Sequence, residues 1–250
     1  MTRIAILGNS HIAAYKAALP LIKSKFPDAV VTLYGVNNAD FHAKSLGHSD
    51  PLRVRSQEDA QSGGMIDIKG PVELDLSAFD RVLLASHGFY LPSYYSILAT
   101  HDVLDLTTAG HSKSISLAAL TKAMQLRTTA YRKKLQQFYN PDSRFVIVQM
   151  PFPAQQSVQN IPDIAGTAQQ PDADRLMALF NTIVSEELKQ SNLNYAPVPS
   201  RMIAAPFLSL AQFARANDLS TKPEASDFTH MNAGYALETL SDLLVPQSPL

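Results

Sequence analysis

The chain has 250 residues, 46% of them hydrophobic, which fits one α/β domain with a sizeable core. Its formal net charge of −1 argues against a broad electrostatic surface for nucleic acid or anionic lipid. The absence of cysteine excludes disulfides, a thiolate nucleophile and cysteine-ligated metals. No apolar run approaches the length of a membrane span, and we expect a soluble, cytoplasmic protein.

The chain opens with a predicted strand, tight turn and helix. Residues 4–7 form a short apolar run suited to a buried parallel strand, and a Gly-Asn turn follows them. Residues 12–22 are rich in helix formers and predict a helix that Pro20 ends or kinks. Ser10 falls at the junction, where it can cap the helix or hold a nucleophile at the carboxyl end of the strand. The turn alone does not choose between these two roles.

The rest of the chain alternates between strands and helices. Further strands are predicted at residues 29–34, 81–85, 145–150 and 198–204, and helices at 114–139, 174–190, 208–217 and 232–244. This alternation predicts a mostly parallel sheet covered on both faces. No repeat or linker interrupts it, so we expect residues 1–250 to form one domain. Residues 39–75 are an irregular excursion, in which Leu52, Val54, Met65, Ile66 and Ile68 are candidates for short antiparallel strands.

Three segments have less regular patterns. Residues 89–112 are expected to form a loop and a short helix over the active face, with tyrosines that stack on a ligand or pack beneath the loop. The polar residues 154–172 are typical of a mobile lid or a disordered surface segment. Basic residues in the second half of the helix at 114–139 favour a solvated face over an anion site. These tyrosines are Tyr90, Tyr94 and Tyr95, and the basic residues are Arg127, Arg132, Lys133 and Lys134.

Near the C-terminus, an acid lies three positions before a histidine in Asp227-Phe228-Thr229-His230, just ahead of the last helix. One interpretation is a helix start, with Asp227 or Thr229 as the cap and His230 incidental. The other is chemical, because nucleophilic hydrolysis needs a hydroxyl, a base that accepts its proton and an acid that fixes the base's tautomer. A serine after the first strand and an Asp/His pair in the last loop can meet at one sheet edge.

These two segments resemble the first and last sequence blocks of the SGNH hydrolases, the GDSL-like esterase superfamily. The segment Gly8-Asn9-Ser10 is similar to the first block, and Asp227-x-x-His230-x-Asn232-x-Gly234-Tyr235 is similar to the last, although its Gly-Tyr pair comes one residue early. The resemblance implies a three-layer α/β/α sandwich with a flavodoxin-like sheet, and ester hydrolysis or acyl transfer. It implies Ser10 as nucleophile, His230 as general base and Asp227 as the partner that orients the base.

The resemblance also implies donors for the oxyanion that forms during acyl transfer. The backbone N–H of Ser10, near a helix N-terminus, is the first candidate. The family's glycine after the second strand falls in Gly35-Val36-Asn37-Asn38, with Gly35 or Asn38 as the donor. His87 stands where the family has an asparagine after the third strand, and a histidine N–H can also donate to an oxyanion.

The leading hypothesis is a serine-dependent esterase that acts on small acyl esters, with acetylated carbohydrate as a substrate class suggested by the family. The alternatives are an acyltransferase that uses the same three residues and a noncatalytic binding module of the same fold. No metal site is expected, since the remaining histidines lack ligand spacing. No Gly-x-Gly-x-x-Gly follows the first strand, so a dinucleotide-binding fingerprint is absent, and no cofactor is expected.

Overall fold

The structure is a computed structural model that describes residues 1–36, 65–68, 76–85, 91–106, 109–139, 142–191, 193–217 and 227–244. In chain order the strands are β1 (Thr2–Gly8), β2 (Ala29–Val36), β3 (Met65–Ile68), β4 (Arg81–Ala85), β5 (His101–Val103), β6 (Lys113–Ile115), β7 (Phe145–Val148), β8 (Asn194–Ala196), β9 (Ile203–Ala205) and β10 (Leu208–Ser209). The α-helices are α1 (Ile12–Lys25), α2 (Leu91–Leu98), α3 (Leu117–Tyr139), α4 (Pro162–Ala168), α5 (Ala173–Lys189) and α6 (Ala233–Leu244).

A parallel sheet in the order β3-β2-β1-β4-β7-β8 forms the centre of the molecule. Without the edge strand β3, the order is that of a flavodoxin-like sheet. The chain passes from β1 to β2 on one side and later returns to place β4 on the other side of β1. The order therefore reverses between β1 and β4, and α/β folds bind ligands beyond the carboxyl ends of strands at such a point.

The central strands are buried on both faces, which explains their continuous apolar runs. Residues 4–7 of β1 and 82–85 of β4 are at most 1% exposed. Helix α1 packs with α6, and α3 packs with α5, which gives helical layers over the sheet. The predicted three-layer α/β/α sandwich is thus confirmed. Within the described ranges, no helix combines the length and apolar character that crossing a membrane would require.

Helix α1 continues through Pro20 to Lys25. The prediction that the helix ends at this proline is therefore wrong. Proline removes one backbone donor from a helix interior. Ala18 and Ile22, on either side of it, are 0% and 1% exposed. Their burial in the core stabilises the helix beyond the position at which local propensity would stop it.

Strand β3 pairs in parallel with residues 33–36 of β2 and extends the main sheet. The expected antiparallel pairing of Met65, Ile66 and Ile68 in an excursion is therefore wrong. Such a short segment carries no local signal for the direction of its partner. Leu52 and Val54, the other candidates for this excursion, lie outside the described residues.

The last strand of the sheet is also displaced from its predicted position at residues 198–204. Strand β8 is formed instead by Asn194–Ala196, which pairs with β7. The chain then turns away, because the backbone N–H of Val198 donates to the buried Gln149 side chain at 2.9 Å and Pro199 follows. The predicted helix at 208–217 is likewise replaced by β10 and two short 3₁₀ turns.

Residues 154–172 are not a disordered surface segment. They form a 3₁₀ turn at Gln155–Gln159 and helix α4, which begins with proline at its first position. The buried Thr167 hydroxyl donates to the carbonyl oxygen of Tyr95 at 3.1 Å, which fastens α4 to α2. This segment is part of the packed body, although its sequence has the polarity of a loop.

Arg132 has a structural role rather than a place on a solvated face. Its Nε lies 2.6 Å from Oε1 of Glu187 on α5, and the two side chains are only 15% and 11% exposed. Its Nη1 also donates to the Ser191 hydroxyl at 3.0 Å. The expected solvated face is wrong for Arg132, which instead connects α3 with the end of α5.

Candidate active site

Ser10 lies in the turn between β1 and α1, at the carboxyl edge of the sheet. The N–H of Ile12 donates to the carbonyl oxygen of Asn9 at 2.9 Å, and the Asn9 side chain accepts from the N–H of His11 at 3.2 Å. The N-cap of α1 is His11, one residue after Ser10. The Ser10 side chain is exposed, and the helix-cap interpretation of this serine is wrong.

A hydrogen-bonded chain links Ser10 to the loop before α6. The Nε2 atom of His230 lies 3.0 Å from Ser10 Oγ. On the opposite side of the ring, Nδ1 lies 3.0 and 3.1 Å from the two carboxylate oxygens of Asp227. A proton on Nδ1 that is donated to Asp227 leaves Nε2 free to accept from the serine hydroxyl. The geometry thus brings together a hydroxyl, an imidazole and a carboxylate in the order that proton transfer requires.

Asp227 is held as an anion beside the imidazole. Partial burial raises its pKa, but hydrogen bonds from the N–H and ring of His230, together with the nearby His230 charge, outweigh this effect and lower the pKa overall. Thr229 donates a further hydrogen bond to Asp227 Oδ1 at 3.3 Å, and Arg215 Nη1 lies 3.6 Å from Oδ2. An ionised carboxylate orients the ring and stabilises an imidazolium.

Asn232 explains why this loop keeps its shape. Its side-chain amide donates to the carbonyl oxygens of Gln212 and Ala214 at 2.7 and 3.3 Å, and its Oδ1 accepts from the N–H of Tyr235 at 3.2 Å. One side chain therefore ties the histidine loop to the preceding segment and satisfies a free donor at the start of α6. This role gives a physical reason for an asparagine at this position.

Of the four predicted oxyanion residues, only Ser10 and Gly35 lie within the described part of the chain. Gly35 lies inside β2, opposite Gly8 of β1 in the sheet register, so it is near the Ser10 turn but not in a loop. The second strand is longer than the predicted residues 29–34, because β2 continues to Val36. Asn38 and His87 lie outside the described residues. The donor roles of Ser10, Gly35, Asn38 and His87 stay predictions.

His11 follows Ser10 in the chain and lies beside His230. Its side chain is buried, with 6% exposed, and its ring centroid lies 4.8 Å from that of His230 at an angle of 41°. Burial lowers the pKa of His11 to about 4, and the charge of His230 makes a smaller contribution in the same direction. The charge of Asp227 has the opposite, weaker effect. His11 is therefore neutral at pH 7, and it packs a neutral ring against the ring of His230.

A largely apolar cavity of about 240 Å³ lies beside the same loop. Thr229 forms part of its wall, with residues from α2, α4 and the segment that follows β7. The sequence did not indicate this cavity, because its walls come from four separate parts of the chain. Among the described residues, no group of acidic and histidine side chains is arranged to hold a metal ion.

No family model matches the chain, and no curated protein matches it in sequence. The chain is similar in structure to an extracellular lipase from Streptomyces rimosus. The TM-score is 0.43 and the identity 12%, over 97% of this chain and 99% of the lipase. At these values the similarity does not assign an activity. The predicted cytoplasmic location is contradicted, because the lipase in this comparison is extracellular, and we do not retain it.

Proposed function

We propose that this protein is a serine-dependent carboxylic ester hydrolase of the SGNH type. The observation that carries the proposal is the hydrogen-bonded chain from Ser10 Oγ through His230 to Asp227, with 3.0 Å at the serine and 3.0 and 3.1 Å at the carboxylate. Each distance is within the range needed for proton transfer between a nucleophile and its base. A module that only binds a ligand has no chemical use for this arrangement.

In the proposed mechanism, His230 Nε2 accepts the proton of Ser10 as Oγ attacks the acyl carbon of the ester. Asp227 stabilises the resulting imidazolium through Nδ1. The tetrahedral intermediate collapses when Nε2 returns the proton to the leaving alcohol, and the acyl group stays on Ser10. A water molecule then attacks the acyl-enzyme and gives a proton to Nε2. Finally that proton passes back to Ser10 as the acid is released.

The oxyanion of both tetrahedral intermediates requires fixed donors. We assign this role to the backbone N–H of Ser10, to Gly35 or Asn38, and to His87. Losing one oxyanion donor typically lowers kcat about 100- to 1,000-fold. The variant His87→Ala should therefore lower kcat by this factor, and an unchanged kcat would remove His87 from the mechanism.

Small acyl esters are the proposed substrates, including acetyl esters of carbohydrate. Support comes from the exposure of Ser10, since an exposed hydroxyl at the sheet edge can be reached by an ester on a bulky alcohol. The mechanism needs no cofactor, because the three side chains supply the nucleophile, the base and the orienting charge.

The test is hydrolysis of p-nitrophenyl acetate by the wild-type protein and by Ser10→Ala. A matched control is Ser112→Ala, which removes an exposed hydroxyl elsewhere on the surface. We expect hydrolysis above background for the wild type and the control, and background only for Ser10→Ala. Equal rates for all three would overturn the proposal. If added alcohol diverted the acyl group from water, the same residues would be assigned to an acyltransferase.

A further inference from the structure

The cavity beside Thr229 lies at the same edge of the sheet as Ser10. One wall is formed by Met150, Pro151 and Pro153, which follow the carboxyl end of β7. The opposite walls are α2, through Tyr95, and the start of α4, through Ile161 and Ile164. Because all strands of the sheet are parallel, the carboxyl ends of β1 and β7 open on the same side.

Two hydrogen bonds connect this cavity and its surroundings to the loop that carries Asp227 and His230. Thr229, in the cavity wall, donates to Asp227 and directly precedes His230. The N–H of Ala154, just after the proline segment, donates to the carbonyl oxygen of Phe228 at 2.8 Å. The cavity wall and the loop that carries His230 are therefore one connected unit. Thr229, which lines the cavity, is thus adjacent in the chain to His230, whose Nε2 lies 3.0 Å from Ser10 Oγ.

The chemistry of the walls selects an uncharged, apolar group. Isoleucine, methionine and proline side chains and the ring of Tyr95 supply most of the lining. The two polar side chains on α2 and α4 are paired with each other, since Ser96 Oγ donates to Asp163 Oδ2 at 2.6 Å. The carboxylate of Asp163 also disfavours an anionic ligand, because like charges repel.

The size of the cavity limits what it can hold. A dry apolar cavity of about 150 Å³ is sufficient for a benzene ring. The cavity of about 240 Å³ is larger, and it accommodates an unbranched chain of roughly six to eight carbons. A lone acetyl group would leave most of this space unfilled.

The two helices that form walls of the cavity, α2 and α4, pack against each other. Besides the bond from Thr167 to Tyr95, the helices α2 and α4 approach each other at Gly166, where an added Cβ would lie 2.9 Å from the Cα and Cβ of Ala99. Such close packing leaves these helices little room to collapse into the cavity. The cavity is thus preformed, as binding sites for small molecules usually are.

We propose that this cavity binds the unbranched aliphatic chain of an uncharged ester whose carbonyl carbon is attacked by Ser10. This inference rests on the proposed esterase function and narrows its substrate class. The chain belongs to the acyl group or to the alcohol, and the same apolar lining serves both. Each additional methylene that enters the cavity raises kcat/KM about fourfold until the cavity is full.

The experiment compares two series of esters. In the first, p-nitrophenyl esters carry acyl chains of two to ten carbons; in the second, alkyl acetates carry alcohols of the same lengths. We expect kcat/KM to rise along one series to roughly six to eight carbons and then to level off. A rise in the first series assigns the cavity to the acyl chain, and a rise in the second assigns it to the alcohol. Flat profiles in both series overturn the inference.

The variant Ile161→Phe tests the location, because it places a larger side chain at the half-buried cavity wall. The ratio of kcat/KM for the hexyl-length substrate to that for the two-carbon substrate should fall at least about tenfold, the loss of two methylenes of burial. The control Ile115→Phe alters a half-buried isoleucine that does not line the cavity, and it should keep the wild-type ratio. Equal ratios in the two variants would contradict the assignment.

A direct binding measurement separates this inference from the proposed function. Ligand-observed NMR with 1-hexanol and the Ser10→Ala protein does not require hydrolysis. If 1-hexanol binds to Ser10→Ala but not to the double variant that also carries Ile161→Phe, the cavity assignment is supported even if no ester is hydrolysed. If 1-hexanol does not bind, the cavity assignment is overturned. This holds even where Ser10-dependent hydrolysis of p-nitrophenyl acetate supports the proposed function.

Discussion

The Nε2 atom of His230 lies 3.0 Å from the Oγ atom of Ser10, although 220 positions separate the two residues in the chain. Ser10 is held between β1 and α1, and His230 lies three positions before the first residue of α6, Ala233. Helices α1 and α6 pack against each other, and Lys25 Nζ donates to the Ser241 hydroxyl at 2.9 Å between them. The contact between serine and histidine therefore depends on the docking of the last helix on the first.

Replacing Asp227 by asparagine tests the role of the carboxylate. The amide is nearly the same size, but it removes the charge that stabilises imidazolium and allows the wrong tautomer of His230. We expect kcat to fall about 10⁴-fold, the size of this effect in a serine protease triad. Steady-state hydrolysis measures it, with Asp242→Asn as the control at an exposed ion pair. A fall of less than tenfold would show that Asp227 does not orient the base.

The strands beneath the site could be predicted from local pattern, and one has the predicted bounds, at Arg81–Ala85. Its burial requires a continuous apolar run, and this signal is readable in one segment. The proximity of Ser10 to Asp227 and His230 could also be anticipated. Each of these residues lies at the boundary of a predicted element, and the strand–helix alternation indicates on which side of the sheet that boundary falls. These two predictions required only the pattern within each element and the order of the elements along the chain.

The predictions that failed depended on distant partners. Asn194 begins β8 because β7 offers a free edge there, although its side chain does not favour strands. The polar segment at residues 154–172, which includes α4, packs against α2, about 70 positions away in the chain, through contacts that include the bond from Thr167 to Tyr95. The burial of His11 depends on the loop of His230. No local pattern contains these contacts.

The buried His11 predicts a specific dependence of stability on pH. Its pKa is about 4 in the folded state and about 6.5 in the unfolded chain, so the unfolded chain binds the proton more readily between these values. Stability should fall as pH is lowered from 6.5 to 4.5, with roughly 2 to 3 kcal/mol of the loss due to this residue.

Urea unfolding of wild type and His11→Phe at pH 7 and pH 4.5 measures this contribution. The phenylalanine keeps an aromatic ring but cannot bind a proton, so the variant should lose less stability on acidification. Comparing each protein with itself at the two pH values removes the constant effect of the substitution on packing. An identical pH dependence in both proteins would mean that His11 does not titrate as its burial requires.

The pair formed by Arg132 and Glu187 should matter for stability rather than catalysis. Removing one partner leaves a largely buried charge without compensation, and we expect Glu187→Gln to lower the free energy of unfolding by about 3 kcal/mol. The control is Arg201→Gln, which breaks exposed contacts with Glu238 and Asp242 and should cost less than about 1 kcal/mol. Equal losses in urea unfolding would contradict the structural role of the buried pair.

Gly8 is required by the close approach of β1 and β4 under the site. A Cβ at this position would lie 2.9 Å from the backbone oxygen of Ala85. Gly8→Ala must therefore move the strand ends, with an expected loss of about 1 to 3 kcal/mol in stability. Displacing Ser10 by about 1 Å should also lower kcat about 100-fold. Thermal unfolding and hydrolysis measure the two effects, and wild-type values for both would contradict the account.

The most direct test of the central claim is covalent labelling of Ser10 by a fluorophosphonate. The serine oxygen forms a bond to phosphorus, fluoride leaves, and the adduct is found by intact mass and peptide mapping without any assumption about the ester substrate. We predict one adduct per chain, located on Ser10, absent from Ser10→Ala and formed much more slowly in His230→Ala. No adduct on the wild-type protein, or the same labelling in Ser10→Ala, would contradict the assignment of Ser10 as a nucleophile activated by His230.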